Sequence, residues 1–314
     1  MSSILRHLVL AAGSMAAALT APAASAQEVA APEAHVDLRT AIGAKGAEVY
    51  MPSEGLTVPS GHMIGDNYFP YEGVGWENEL IGYRLYLDER GVTDVFGKLM
   101  PRTVLSHVDY RSKYHALALW GMDVMHVGPS FGIGGLGLLR DGKAEHFGPG
   151  STIRAQVDER RGRQARFTVV YSGFALEGSR DASVSATYSL AVGDPMTWVE
   201  VRASRNDLPL ASGLVLHAGA HQFESAAAPS EWRYIASWGV QSENKDQLGL
   251  ALFYRNDDAK PAGISNETRA IAFRGGQFRY GFLAVWEKGL MGIGDEAGFR
   301  AYLDKRLAEL NGGG

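Results

Sequence analysis

Apolar and polar positions alternate with a period of two through most of this chain. In IGYRLYLD, Ile81, Tyr83, Leu85 and Leu87 fall on one face and Arg84, Tyr86 and Asp88 on the other, which describes a half-buried strand. Similar short segments recur at 167–171, 186–192, 197–203, 213–219, 248–254 and 282–286, with Gly, Asp, Asn and Pro between them. Many short strands at that spacing predict a mostly-β fold, a large antiparallel β-sandwich. One segment changes period: after Asp295, a good N-cap, Phe299, Tyr302, Leu303, Leu307 and Leu310 recur helically until the terminal glycines. A C-terminal helix packed on the outside of a sheet is expected there.

The first 26 residues read as a signal peptide: Arg6, the short apolar run LVLAAGSMAAALTA, then Ala24-Ser25-Ala26 before Gln27. Residues 27–62 are expected to form an N-terminal extended segment, and 63–314 a single β-sandwich catalytic domain, since no Pro/Ser-rich linker and no repeat divides the rest. No later segment approaches the apolar length of a spanning helix, so a periplasmic or secreted product without a membrane anchor is expected. The formal charge of −5 argues against nucleic acid as a partner. With no cysteine, thiol catalysis and cysteine-ligated zinc are excluded, and stability must come from a large core instead of disulfides.

Within GPSFGIGGLG, Gly132, Gly134 and Gly137 have the G-x-G-x-x-G spacing of a dinucleotide-binding loop. The context contradicts that use. Asp141-Gly142 follows within a few residues and marks a tight turn between strands, with no helix to hold a pyrophosphate, so a glycine-rich β loop is expected.

Chemistry concentrates in KYHALALWGMDVMHVGPSFGIGG, which places Tyr114, His115, Trp120, Asp123, His126 and Ser130 among small and apolar residues. With GVGWENELIGYRLYLD upstream and RYGFLAVWEKG near the end, this segment resembles the DUF4861 family, uncharacterised exported bacterial proteins found beside polysaccharide-degrading enzymes. Trp76, Glu77 and Arg84 match one motif of the family. Tyr114, His115, Gly121, Asp123, Gly128, Pro129, Gly132, Gly134 and Gly135 match the other. The resemblance implies a sandwich of the galactose-mutarotase kind acting on uronate-containing oligosaccharides. Separately, no cofactor and no metal site is expected.

Eliminating a group from C4 of a uronate needs a cation at the C6 carboxylate, a base for the C5 proton and an acid for the leaving oxygen. Arg84 suits the first task if the polar face of its strand opens into a groove, and is equally readable as an exposed or structurally paired arginine. His115 and His126 suit the base and acid, provided that the chain bends between them, which Gly121 permits. Tyr83 and Tyr114 are further proton donors, and Asp123 could orient either imidazole. Glu77 and Asp123 offer an alternative glycosidase pair, and Glu77 could instead cap a turn or hold Arg84. Trp76, Trp120, Trp232 and Trp238 could stack on sugar rings, although core roles compete. Ser130 and His217 complete the expected substrate contacts, and His217 with His221 is preferred as sugar-binding or structural over metal-binding. The leading expectation is a carbon–oxygen lyase; the alternatives are a glycoside hydrolase and a mutarotase-like protein that cleaves nothing.

Overall fold

Antiparallel pairing joins strands into three large sheets in this computed structural model, which describes residues 31–174, 176, 181–226 and 231–312. The signal peptide expected at 1–26 lies outside the described residues. A nine-stranded sheet runs, in spatial order, Ala220–Glu224, Trp232–Val240, Gln247–Arg255, Gln277–Trp286, Thr197–Ala203, Ser183–Ala191, Gln164–Ser172, Thr152–Glu159 and Gly55–Thr57. A six-stranded sheet is ordered Arg161–Gly162, Ala34–Asp37, Gly73–Glu77, Ile81–Tyr86, Thr93–Lys98 and Gly121–Asp123. A five-stranded sheet is ordered Lys143–Glu145, Ile133–Arg140, Leu210–Val215, Thr268–Phe273 and Ala259–Ser265. The fold is thus a large antiparallel β-sandwich with one C-terminal helix, Glu296–Gly312. Residues 27–62, expected to precede the sandwich as an extended segment, supply Ala34–Asp37 to one sheet and Gly55–Thr57 to another.

One apolar core spans all three sheets, because the inward positions of their alternating strands meet across the sandwich. At its centre the Trp76 ring lies 5.6 Å from Tyr83, 5.0 Å from Phe167 and 5.5 Å from Tyr188. Trp76 Nε1 donates to Thr197 Oγ1 at 2.8 Å, so the indole's only polar atom is satisfied inside. Tyr83 is likewise fully buried; its hydroxyl donates to the Pro195 carbonyl at 2.7 Å and accepts from Ala284 N. Neither Trp76 nor Tyr83 can meet a sugar, and both expected substrate contacts are corrected to core residues. Trp232 and Trp238 are also buried, on the opposite side of the nine-stranded sheet.

The helix begins as expected: Asp295 Oδ1 accepts from Gly298 N at 2.7 Å, satisfying a free amide of the first turn. Its Phe299 and Leu303 are completely buried against Trp238, Phe253, Leu283 and Val285 on the outer face of the nine-stranded sheet. The glycine-rich loop is structural. Gly134 has φ +71 within the strand Ile133–Arg140, and a Cβ there would meet Phe282 Cδ1 at 2.2 Å, so only glycine allows the strand to lie this close to the core. Asp141 and Gly142, at φ +50 and +76, then make the predicted tight turn. The strand expected at 213–219 is Leu210–Val215, shifted toward the N-terminus.

Candidate functional site

The six-stranded sheet has two buried faces, which corrects the expectation of a half-buried strand at 81–88. Inward lie Val74, Trp76, Tyr83, Leu85 and Val95, all in the core. On the other face, alternation places Glu77, Arg84, Tyr86, Asp94, Phe96, Lys98 and Asp123, with Arg84 opposite Asp94 and Phe96 opposite Asp123. A charged sheet face is ordinarily left to solvent. Here the chain between Leu99 and Trp120 folds back over it, burying Leu105 and Val108 against Tyr71 and Phe96.

The buried ions satisfy that covering segment. Glu77 Oε1 accepts from the amides of Val104 and Leu105, each at 2.7 Å, while its Oε2 holds Lys98 Nζ at 2.7 Å. Arg39 Nη2 donates to the carbonyls of Leu105 (2.8 Å) and Val108 (2.7 Å) and is itself held by Asp37. Irregular backbone can be buried only when its polar groups find partners, and these side chains provide them. Glu77 is therefore neither a glycosidase acid nor the partner of Arg84: it is fully buried with both oxygens engaged.

The covering segment returns to the sheet through the bend that the sequence requires. Ala118 and Gly121 exchange backbone hydrogen bonds, and Gly121 takes φ +132 with its α-carbon so close to the Gly97 carbonyl that no Cβ fits. Asp123 N then donates to the Tyr114 carbonyl at 2.8 Å, which lays the Tyr114-His115 pair alongside Gly121–Asp123.

Arg84 lies beneath this pair. Its Nη2 contacts Asp94 Oδ2, Asp123 Oδ2 (2.7 Å) and the Tyr86 hydroxyl, and its Nη1 is 3.5 Å from the Tyr114 hydroxyl. The guanidinium stacks 4.2 Å from the Tyr86 ring centroid. With 1% of its surface exposed, Arg84 does not point into an open groove, and its direct grip on a substrate carboxylate is corrected to a buried ion cluster. Burial opposes its charge, but Tyr86, Asp123 and Asp94 outweigh burial and keep it protonated. Burial, then the facing Asp94, pushes the Asp123 carboxyl well above the ordinary range.

Above this cluster stands His115. Its Nδ1 is 3.3 Å from Asp123 Oδ2, its ring centroid is 4.5 Å from that of Tyr114, and 65% of its side-chain surface is exposed. Partial burial, then the charge of Arg84, lowers the imidazole below its ordinary value despite Asp94 and Glu243. Burial raises the Tyr114 phenol, so it keeps its proton.

His126 lies beyond the strand end, largely exposed, with Nδ1 3.5 Å from Glu243 Oε1. Its backbone carbonyl accepts from His217 Nε2 at 2.6 Å, and His217 Nδ1 is 3.2 Å from Gln241 Oε1. His217 therefore braces the backbone at His126. Glu243 is held by its own amide, which donates to the Val124 carbonyl at 2.9 Å. Its charge reaches His115, so the two expected histidines share one acidic neighbour. His221 pairs instead with Glu296 at 2.9 Å, and among the described residues no three His, Cys, Asp or Glu side chains are placed to hold a metal.

Two expected contacts fall elsewhere. Ser130 is completely buried; its hydroxyl donates to the Val127 carbonyl and accepts from Gly132 N at 2.9 Å, shaping the glycine-rich turn. Trp120 is partly buried on the covering segment, where it lines a cavity of about 330 Å³ with Arg102 and His107. Sequence reasoning missed Tyr86, Asp94 and Glu243. Asp94 had a usable signal, a carboxylate in a strand ten residues after Arg84; Glu243 had none short of the fold.

The site's residues lie inside a single family match. The model of a domain of unknown function, DUF4861, matches residues 5–312, whereas no curated protein matches the chain. A match over nearly the whole length, including Trp76 to Arg84 and Tyr114 to Gly135, places this chain in the DUF4861 family.

Proposed function

We propose that the chain is a carbon–oxygen lyase, a dehydratase or β-eliminating enzyme for uronate-containing oligosaccharides. The observation that carries this reading is the exposed His115 imidazole, held neutral and set 3.3 Å from the buried Asp123 beside a protonated Tyr114. A base of lowered basicity next to a phenol that keeps its proton is a general base and general acid pair.

In this reading His115 Nε2 takes the C5 proton, and the freed electron pair forms the C4=C5 double bond. The C4–O bond breaks with its electron pair on oxygen, and the Tyr114 hydroxyl protonates that oxygen. Arg84, beside the Tyr114 hydroxyl, stabilises the phenolate left behind, and Asp123 receives the Nδ1 hydrogen bond of the imidazolium. Arg84 thus acts from below the site. For the substrate carboxylate, Lys113 immediately precedes Tyr114, is exposed and makes no ion pair among the described residues. His126, with Glu243, borders the same site.

The test is a spectrophotometric assay on uronate oligosaccharides with mass analysis of products. Elimination is expected to raise the ultraviolet absorbance of an unsaturated uronate. His115→Ala should lower kcat by about 100-fold or more while leaving the unfolding transition in place. Scission without absorbance would favour hydrolysis. Binding with neither would favour a mutarotase-like role, which the same exposed imidazole could serve as a base for ring opening.

A further inference from the structure

A cavity of about 810 Å³ shares no lining residue with the candidate site. Its volume suits a small ligand. One wall is the loop after Gly55–Thr57, which presents Met63 and Ile64 with 69% and 59% of their surface exposed. Facing chain from the turn after Ile81–Tyr86 contributes Asp88 and Glu89.

These two acids differ. Asp88 is clamped by Arg90 Nη2 at 2.6 Å and Nε at 3.0 Å, whereas the exposed Glu89 carboxylate has no hydrogen bond or ion pair among the described residues. Among the described residues, no lysine or arginine lines the cavity. An apolar platform facing a free acceptor, without a cation, matches a ring with one C–H face and several hydroxyl donors. It disfavours an anion.

Side-chain contacts run from the cavity wall toward the cluster below His115. Arg90, held by Asp88, stacks 4.5 Å from the Tyr86 ring, whose hydroxyl contacts Arg84 and Asp94. The loop bearing Met63 and Ile64 is tied back by Gly65 N to Glu72, whose carboxylate acts on the Tyr114 phenol.

We propose that this cavity is a subsite for an uncharged glycosyl residue, with Met63 and Ile64 against the ring and Glu89 accepting its hydroxyls. The link to the neighbouring uronate rests on the lyase reading, but occupancy of the cavity does not. The probes are methyl glycosides of common neutral hexoses, deoxyhexoses and pentoses, with methyl uronosides as controls, added to the full chain carrying ¹³C-methyl methionine. At least one neutral glycoside is expected to shift the Met63 methyl resonance saturably, and Glu89→Gln should weaken that binding by roughly tenfold. His115→Ala should leave it unchanged.

No shift with any neutral glycoside, or equal binding of uronosides, would overturn the subsite. If elimination is observed without a Met63 response, the subsite fails and the lyase stands. If Met63 responds while no uronate is turned over, the lyase fails and the subsite stands.

Discussion

The outer faces of the nine-stranded and six-stranded sheets are both covered, by contrasting chemistry. Over the nine-stranded sheet, the C-terminal helix presses Phe299 and Leu303 onto Trp238, Phe253 and Leu283, an apolar centre with polar contacts such as Tyr234–Asp304 and His221–Glu296 around it. Over the six-stranded sheet, the 99–120 segment lies on Asp37, Arg39, Glu77, Lys98, Arg84, Asp94 and Asp123. Apolar burial is tolerant of detail and stabilises in proportion to area. Buried ions must be satisfied one by one, and well-packed apolar residues can often replace them without loss. The polar face is therefore expensive as architecture, and what it yields is a fixed platform beneath Tyr114 and His115.

The largest effect should come from removing the cation of the central cluster. Arg84→Met leaves Asp94 and Asp123 buried together without their shared cation, and unfolding free energy should fall by about 3–5 kcal/mol in denaturant titration. Phe299→Ala, on the helix face, should cost about 3 kcal/mol through the cavity it opens, yet leave the turnover proposed at His115 intact. If Arg84→Met were tolerated as a surface change is, the two faces would not differ in the way argued.

The next effect is one of pH. His35 lies on the polar face opposite Glu77, with its pKa lowered to about 4 by burial and then by Arg161, Arg160 and Arg39. Because the folded state prefers neutral His35, the unfolded chain binds the extra proton. Stability from this group is complete above pH 6.5 and is lost as pH falls from there toward 4, by about 2–3 kcal/mol in all. His35→Leu should flatten that part of the stability profile. An unchanged acid limb in the variant would assign it to the carboxylates instead.

The same contrast explains what could be read from sequence. The helix was legible to its cap, because Asp295 and the spacing of Phe299, Leu303 and Leu307 are local signals. So were most strands and the misleading glycine loop. Alternation also separated Arg84 from Tyr83, but period two does not reveal whether a polar face meets water or another part of the chain. The cover at 99–120 has no period of its own. Glu77 finds Lys98 across 21 positions, and His126 finds Glu243 across two sheets. Trp76 and Ser130 stood among the matching motifs and proved to be packing residues, since a family motif marks the fold's requirements along with its chemistry.

The smallest effect should come from the pair farthest from His115 in role. Lys98 alone cannot be removed cheaply, because Glu77 would stay buried without its cation, and Glu77→Leu would strand the amides of Val104 and Leu105. Glu77→Gln combined with Lys98→Met avoids both faults: the Gln carbonyl can still accept from the two amides, and neither charge remains. That double variant should lie within about 1 kcal/mol of the parent in denaturant titration. It should also retain turnover, because the 99–120 segment stays anchored above the sheet. A large loss of stability would mean that the ion pair itself holds the cover down. Full stability with lost turnover would mean that the charge of this pair is felt at His115, and would extend the functional part of the polar face across the whole sheet.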